Sequence, residues 1–307
     1  MKLLVIGGCH IASYGIPSGS GFLPQWTAHL GRVWAEPIQT LSFARMTYHR
    51  FPLLFQQYST AFEEADLILV QLGNYELSYR GMFRNLFNQA SIPPPKRSPA
   101  LSMPSIVATP PDQFNDVEVY QYSRHWLGGL KDWAKGSLLS LCQQMGKPIP
   151  ILDEFARSMK RPNELLRPFA SKIVMLTPFP SLNPVDHWLR RASRPLFFQE
   201  AERHGFKVLD SHRAVPLHRS YFLGDRYHLN QRGHMKMAHF LINSVAVVPF
   251  FASSGQPLSM NIAPARWQST VVEPGIYQPV LDEEFHGSLR DLPSRLTSHP
   301  RTLLRFE

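Results

Sequence analysis

The chain is poor in cysteine. Its 307 residues contain only Cys9 and Cys142, far apart and in dissimilar surroundings, which argues against a disulfide framework and permits a reduced, reactive thiol. It also lacks any apolar run of about eighteen residues, the length a helix needs to cross a bilayer. The apolar segment at the start is too short for a secretory signal and runs straight into Gly7-Gly8, so neither a membrane span nor an export signal is expected and the expected location is cytoplasmic. Acidic residues are the minority charge: 23 Asp and Glu against 32 Lys and Arg give a formal net charge of +9. That excess suits an anionic partner such as a coenzyme, an acidic carrier protein, a polyanionic glycan or lipid headgroups, while scattered basic residues also describe an ordinary solvated surface. Zinc-finger spacing, basic runs of five or more and aromatic single-strand-binding motifs are missing, so nucleic acid is not expected. No internal repeat is found.

What is present is a core. Hydrophobic residues make up 44% of the chain and aromatics 12%, enough for one large globular domain. The first signal is Lys2-Leu3-Leu4-Val5-Ile6-Gly7-Gly8-Cys9-His10. An apolar, β-competent run ending in two glycines reads as a buried parallel strand turning into a helix. The positive end of that helix lowers the pKa of a thiol placed there, which makes Cys9 a candidate nucleophile. The alternative is a small buried hydrophobe, the commonest role of a free cysteine.

Further along, a helix is expected over 23–30, a strand over 33–42 interrupted by Pro37, a second strand-to-helix loop at Phe43-Ala44-Arg45-Met46, and a helix over 52–64. The second signal is Ala65-Asp66-Leu67-Ile68-Leu69-Val70-Gln71-Leu72-Gly73-Asn74-Tyr75-Glu76, an apolar strand ending in a polar cluster. Ligands of open parallel sheets bind at the carboxyl ends of strands, so this cluster is expected to share a crevice with Cys9. Strand and helix stop alternating over 77–167, where 91–111 holds seven prolines; this stretch is read as an insertion covering the crevice, or as a structural linker, with helices over 79–89 and 117–145. A strand over 171–178, a helix over 184–204 ended by Gly205, and a strand over 206–210 follow. The third signal, Asp225-Arg226-Tyr227-His228-Leu229-Asn230, leads into a helix capped by Asn230. The pattern gives a three-layer α/β/α domain with a parallel sheet over 1–248 and an extension over 249–307 with one short strand at 268–272.

Three polar clusters at three strand ends, far apart in sequence, are what acyl transfer needs: a nucleophile, a base within reach, a group that orients the base, and donors for the oxyanion. Cys9, His228 and Asp225 fill the first three roles, since Asp-x-x-His in one loop puts both side chains on one side. With this order of blocks, residues 2–246 resemble the SGNH, or GDSL-type, hydrolase superfamily. Gly7-Gly8-Cys9 stands at the Gly-Asp-Ser block, Gly73-Asn74-Tyr75-Glu76 at Gly-x-Asn-Asp, and Asp225-Arg226-Tyr227-His228 at Asp-x-x-His. The resemblance implies a flavodoxin-like domain and a site completed by Cys9, His228 and Asp225, with Gly73, Tyr75 and His10 among the expected oxyanion or substrate-binding residues.

The departures bear on function. Cysteine replaces serine, Gly8 replaces aspartate, Tyr75 takes the asparagine position with Asn74 beside it, and no glycine stands in the second block. The expected oxyanion donors are therefore the NH groups of Cys9 and Ala44 with the Asn74 amide, and Arg45 is a candidate anion binder. A thiolate nucleophile gives a thioester intermediate, which favours transfer over plain ester hydrolysis. SGNH-like acyltransferases of polysaccharide biosynthesis look similar here. No resident cofactor is required; acyl-CoA or an acyl-carrier thioester is the candidate donor, and a small molecule or glycan the acceptor. The competing reading is a non-catalytic binding protein for an anionic ligand. His10 is a second candidate base or a partly exposed side chain. No metal is expected, since Cys9, His10, Asp225 and His228 lack compact ligand spacing. Glu76 reads as a helix cap, His212, His218 and His234 as structural or exposed, and Cys142 as core.

Overall fold

The computed structural model describes residues 1–78, 106–114, 134–137, 139, 141, 145 and 149–245, with the backbone of 268–269. All of them fall within one compact unit, Met1–Val271. The expected helices over 79–89 and 117–145, Cys142 and nearly all of 249–307 lie wholly or largely outside the described residues.

Five parallel strands form the frame: β1 Lys2–Gly7, β2 Gln39–Phe43, β3 Leu67–Gln71, β4 Ile173–Leu176 and β5 Lys207–Leu209. A two-residue strand, β6 Gln268–Ser269, pairs antiparallel with β2. The order is β5-β4-β3-β1-β2-β6, so the five parallel strands have the flavodoxin-like arrangement. In such sheets the order reverses beside β1, and loops leaving β1 and β3 diverge to open a crevice.

Side chains of a strand alternate between faces, and both faces here are apolar, as a covered parallel sheet requires. Leu3 and Val5 of β1 join Leu67 and Leu69 of β3 in one core cluster, with Phe22, Trp26 and Leu30 from helix α1 (Phe22–Trp34). Leu4, Ile6, Ile68 and Val70 face the other cluster. That second face is covered by α2 Phe51–Gln57, α3 Ser59–Glu64, α4 Pro150–Leu166 and α5 Pro184–His204. A short helix, α6 Ser211–Ala214, and the last described helix, α7 Gln231–Ser244, follow. Met237, Ala238 and Leu241 of α7 join the α1 face, which completes the three layers.

Several sequence expectations need correction. Helix α1 continues to Trp34, so β2 begins at Gln39 and not at 33; Pro37 falls in the connection. The helix expected over 52–64 is two helices broken at Tyr58, whose φ of −131° is not helical. Within the stretch 77–167 read as a covering insertion, α4 belongs to the layered core: Phe155 and Met159 are buried in the cluster beneath the sheet. It leads through a 3₁₀ turn, Arg167–Lys172, into β4. Residues 106–114 also return to the body. Thr109 N–H donates to Ser42 O at 2.7 Å, Phe114 N–H to Ala12 O at 3.1 Å, and Tyr58 Oη to Ile106 O at 2.7 Å.

Candidate active site

Cys9 sits where β1 stops. The residues beyond Gly8 form one 3₁₀ turn, Cys9–Ala12, not a full helix, so no helix axis points its positive end at the thiol. The turn is fixed by its neighbours instead. Gly8 N–H donates to Oε1 of fully buried Gln71 at 3.1 Å, and Met46 N–H donates to Gly7 O at 2.9 Å. Gly7 is required by close approach, because a Cβ there would lie 3.0 Å from Gln71 O and 3.0 Å from Ile11 Cγ2.

His228 and Asp225 arrive in the loop before α7. Asp225 Oδ1 accepts from Tyr227 N–H at 2.9 Å and His228 N–H at 3.0 Å, which folds the loop around the carboxylate. Asp225 Oδ2 lies 2.5 Å from His228 Nδ1. Asn230 then caps α7, accepting from Gly233 N–H at 3.1 Å. With Nδ1 held by the carboxylate, the remaining nitrogen of the His228 ring is left for the thiol; the two side chains line one cavity, and each favours the charged form of the other. Tyr14 stacks on the opposite face of the imidazole, ring centroids 4.1 Å apart at 27°.

The electrostatics follow from this line of groups. Burial alone would raise the Cys9 pKa, but hydrogen bonds to His228 and Tyr75 and the positive charges of His228 and Arg45 outweigh it, so the thiol sits below its ordinary range. Burial likewise acts against charge on His228, yet bonding to Asp225 and Cys9 pushes its pKa up to about 9. Asp225 is held below the usual carboxylate range, because bonding to His228 overcomes its burial. Near neutral pH these shifts favour a thiolate facing an imidazolium, the form in which cysteine is nucleophilic.

The second strand end supplies the other wall. Gly73 adopts φ of +98° where β3 turns away, and a Cβ on it would lie 2.9 Å from Pro178 Cγ; its role is to turn the chain, and it does not line the cavity. Asn74 Oδ1 accepts from Phe179 N–H at 2.9 Å, and its Nδ2 lies 3.4 Å from His10 Nδ1. Tyr75 Oη lies 2.6 Å from Cys9 Sγ. Burial and the Cys9 charge hold this phenol far above its usual pKa, so it remains a proton donor.

Several expectations change. Ala44 N–H donates to Thr109 Oγ1 at 3.2 Å, so it is spent and does not serve as an oxyanion donor. The Asn74 amide is likewise engaged at both ends. His10 is buried and not partly exposed, its ring edge-on to Phe179 at 4.6 Å, and burial together with the nearby His228, His234 and Arg190 charges holds its pKa well below the ordinary range. Glu76 does not cap a helix but accepts from Tyr48 N–H at 2.6 Å, tying the loop after β2 to the loop after β3. Arg45 is exposed, with its guanidinium over the Phe114 ring at 4.2 Å; its charge reaches Cys9, but it is not part of the cavity lining.

A cavity of ≈ 320 Å³ opens over the thiol, bounded by Cys9, His228 and Asp225 together with His10, Asn74 and Tyr75. Its wall is completed by Tyr14, Ser78, Arg190 and Tyr227, none of which sequence reasoning singled out for the site. Tyr227 lies inside the third block and was within reach of it. Arg190 carries no signal of its own, being one of several cations in α5; it is buried and donates to Phe179 O at 2.9 Å and Asn74 O at 3.2 Å. Tyr14 had no signal, since only the turn after Cys9 brings it over His228. Among the described residues no group of three or more metal-ligating side chains forms a metal site, and no helix is long and apolar enough to cross a membrane.

No protein-family model matches the chain, and no curated protein matches it. Solved structures do. TesA is 12% identical, with 79% of this chain and 97% of that chain covered and a TM-score of 0.44. A catalytic mutant of Axe2, an acetylxylan esterase from Geobacillus stearothermophilus, is 15% identical, with 79% and 92% covered and a TM-score of 0.47. A member of the lipolytic G-D-S-L family from Veillonella parvula DSM 2008 is 12% identical, with 80% and 98% covered and a TM-score of 0.44.

Proposed function

We propose that this chain is an SGNH-like enzyme of acyl transfer, an acyltransferase or an ester or thioester hydrolase, in which Cys9 is the nucleophile, His228 the proton carrier and Asp225 the group that orients it. The observation that carries this reading is the continuous line from Asp225 Oδ2 through the His228 ring to the Cys9 thiol, at the mouth of a cavity.

The chemistry runs in two halves. The Cys9 sulfur attacks the carbonyl carbon of the donor, a C–S bond forms, and the carbonyl π pair moves to oxygen. As the tetrahedral species collapses, the bond to the leaving group breaks and the imidazolium of His228 gives it a proton. His228, now neutral, takes a proton from water or an acceptor hydroxyl or amine, which attacks the thioester and returns the thiolate. Asp225 stabilises the charged imidazole and fixes its ring orientation throughout. A thioester donor such as acyl-CoA or an acyl carrier suits this exchange, because the bond formed matches the bond broken. A small molecule or a glycan suits the acceptor half, and the basic charge suits a phosphate-bearing donor.

The test is direct. Incubation with acetyl-CoA or 4-nitrophenyl acetate is expected to add one acetyl group to Cys9, read by intact-protein mass spectrometry and peptide mapping. Cys9→Ala should abolish the adduct and lower turnover by about 10³-fold or more. Turnover unchanged in Cys9→Ala would refute the proposal. The competing reading, a binding protein, draws support from the engaged Ala44 N–H and Asn74 amide; it predicts ligand-dependent thermal stabilisation with no acyl adduct.

A further inference from the structure

A tetrahedral intermediate needs donors aimed at its oxyanion, and losing one of them typically costs about 10²–10³-fold in rate. The Ala44 N–H is bonded to Thr109 Oγ1 and the Asn74 amide is held by Phe179 N–H and faces His10. Gly8 N–H is bonded to Gln71. The phenolic oxygen of Tyr75 lies 2.6 Å from Cys9 Sγ, inside the cavity that both residues line. An acyl group on that sulfur would bring its carbonyl oxygen into this space.

We infer that the Tyr75 hydroxyl is a catalytic residue of acyl transfer, donating its hydrogen bond to Cys9 Sγ at rest and to the acyl oxygen as negative charge moves there from sulfur. The inference rests on the proposed acyl-transfer reading and adds one residue to it. In the attack, the sulfur lone pair becomes the C–S bond and the carbonyl π pair becomes the oxyanion. The phenol keeps its proton and shifts its acceptor from sulfur to oxygen. The hydroxyl thus follows the charge across one bond without being consumed.

The experiment compares wild type with Tyr75→Phe in two reactions of the same sulfur. Acetylation by 4-nitrophenyl acetate passes through an oxyanion, whereas alkylation by iodoacetamide does not. Both second-order rates are measured up to a pH at which the thiol is fully ionised, so that any change in thiolate fraction is removed. The expected result is that Tyr75→Phe lowers the acetylation rate by about 10²-fold and leaves the plateau alkylation rate and the melting temperature nearly unchanged. Equal losses in both reactions would make Tyr75 a tuner of the thiol and overturn the inference. Acetylation as fast as wild type or faster would make it a plug and also overturn it. If wild type takes no acetyl group, or Cys9→Ala takes the same one, the acyl-transfer reading itself falls; an adduct on Cys9 with a fast Tyr75→Phe variant removes the role of Tyr75 alone.

Discussion

The reactivity of Cys9 is borrowed from its partners. Its burial opposes charge, and His228, Tyr75 and Arg45 together more than compensate. Iodoacetamide alkylation should therefore show a pH midpoint below the ordinary thiol value of 9.0, and His228→Ala should move that midpoint upward, because desolvation remains while the largest opposing influence is gone. The sign on the alkaline side is the reverse for turnover. In the proposed reaction His228 must be protonated to release the leaving group, so activity should fall as the pH rises through about 9, a limb measurable in a pH profile of kcat/KM. The three groups in this line were legible because Asp-x-x-His and a residue after a glycine turn are local patterns. The oxyanion donors were not. Whether the Ala44 N–H is free depends on Thr109, and whether the Asn74 amide is free depends on Phe179 and His10, partners that no spacing near either residue encodes.

Among the elements, those with terminal punctuation were read accurately. Helix α5 begins where Asn183 accepts from Val185 and Asp186 N–H and ends where Gly205 takes φ of +77°, and both signals are written in the sequence. Helix α4 was hidden by the proline-rich stretch before it and by the proline within it, Pro162, which weakens a helical reading. Packing decides its fate: Phe155 is buried, edge-on to Tyr48 at 5.5 Å and near Phe197 at 5.8 Å. Phe155→Ala should destabilise the fold by about 3–5 kcal/mol, read as a shift of the denaturation midpoint, and should also open space at Gly73, where a Cβ would lie 3.1 Å from that ring. A variant that lost less than about 1 kcal/mol would show that α4 is not part of the core.

For the molecule as a whole, the parallel three-layer class followed from apolar strands separated by helices, while the return of 106–114 to the nucleophile turn did not. Its contacts with Ala12 and Ser42 span a long stretch of chain and leave no periodicity behind. The net charge of +9 bears on association. If the donor is an anionic thioester, its kcat/KM should fall severalfold between about 20 and 300 mM salt as the field is screened, whereas a neutral ester should change little. The ratio of the two substrates isolates steering from any effect of salt on the enzyme; an unchanged ratio would assign the surplus charge to solubility alone.

Every group that ionises the sulfur of residue 9 is encoded later in the chain, Arg45 first and His228 last. On the proposed reading, the residue translated among the earliest therefore gains its nucleophilic power only after synthesis has passed the loop that carries its proton carrier.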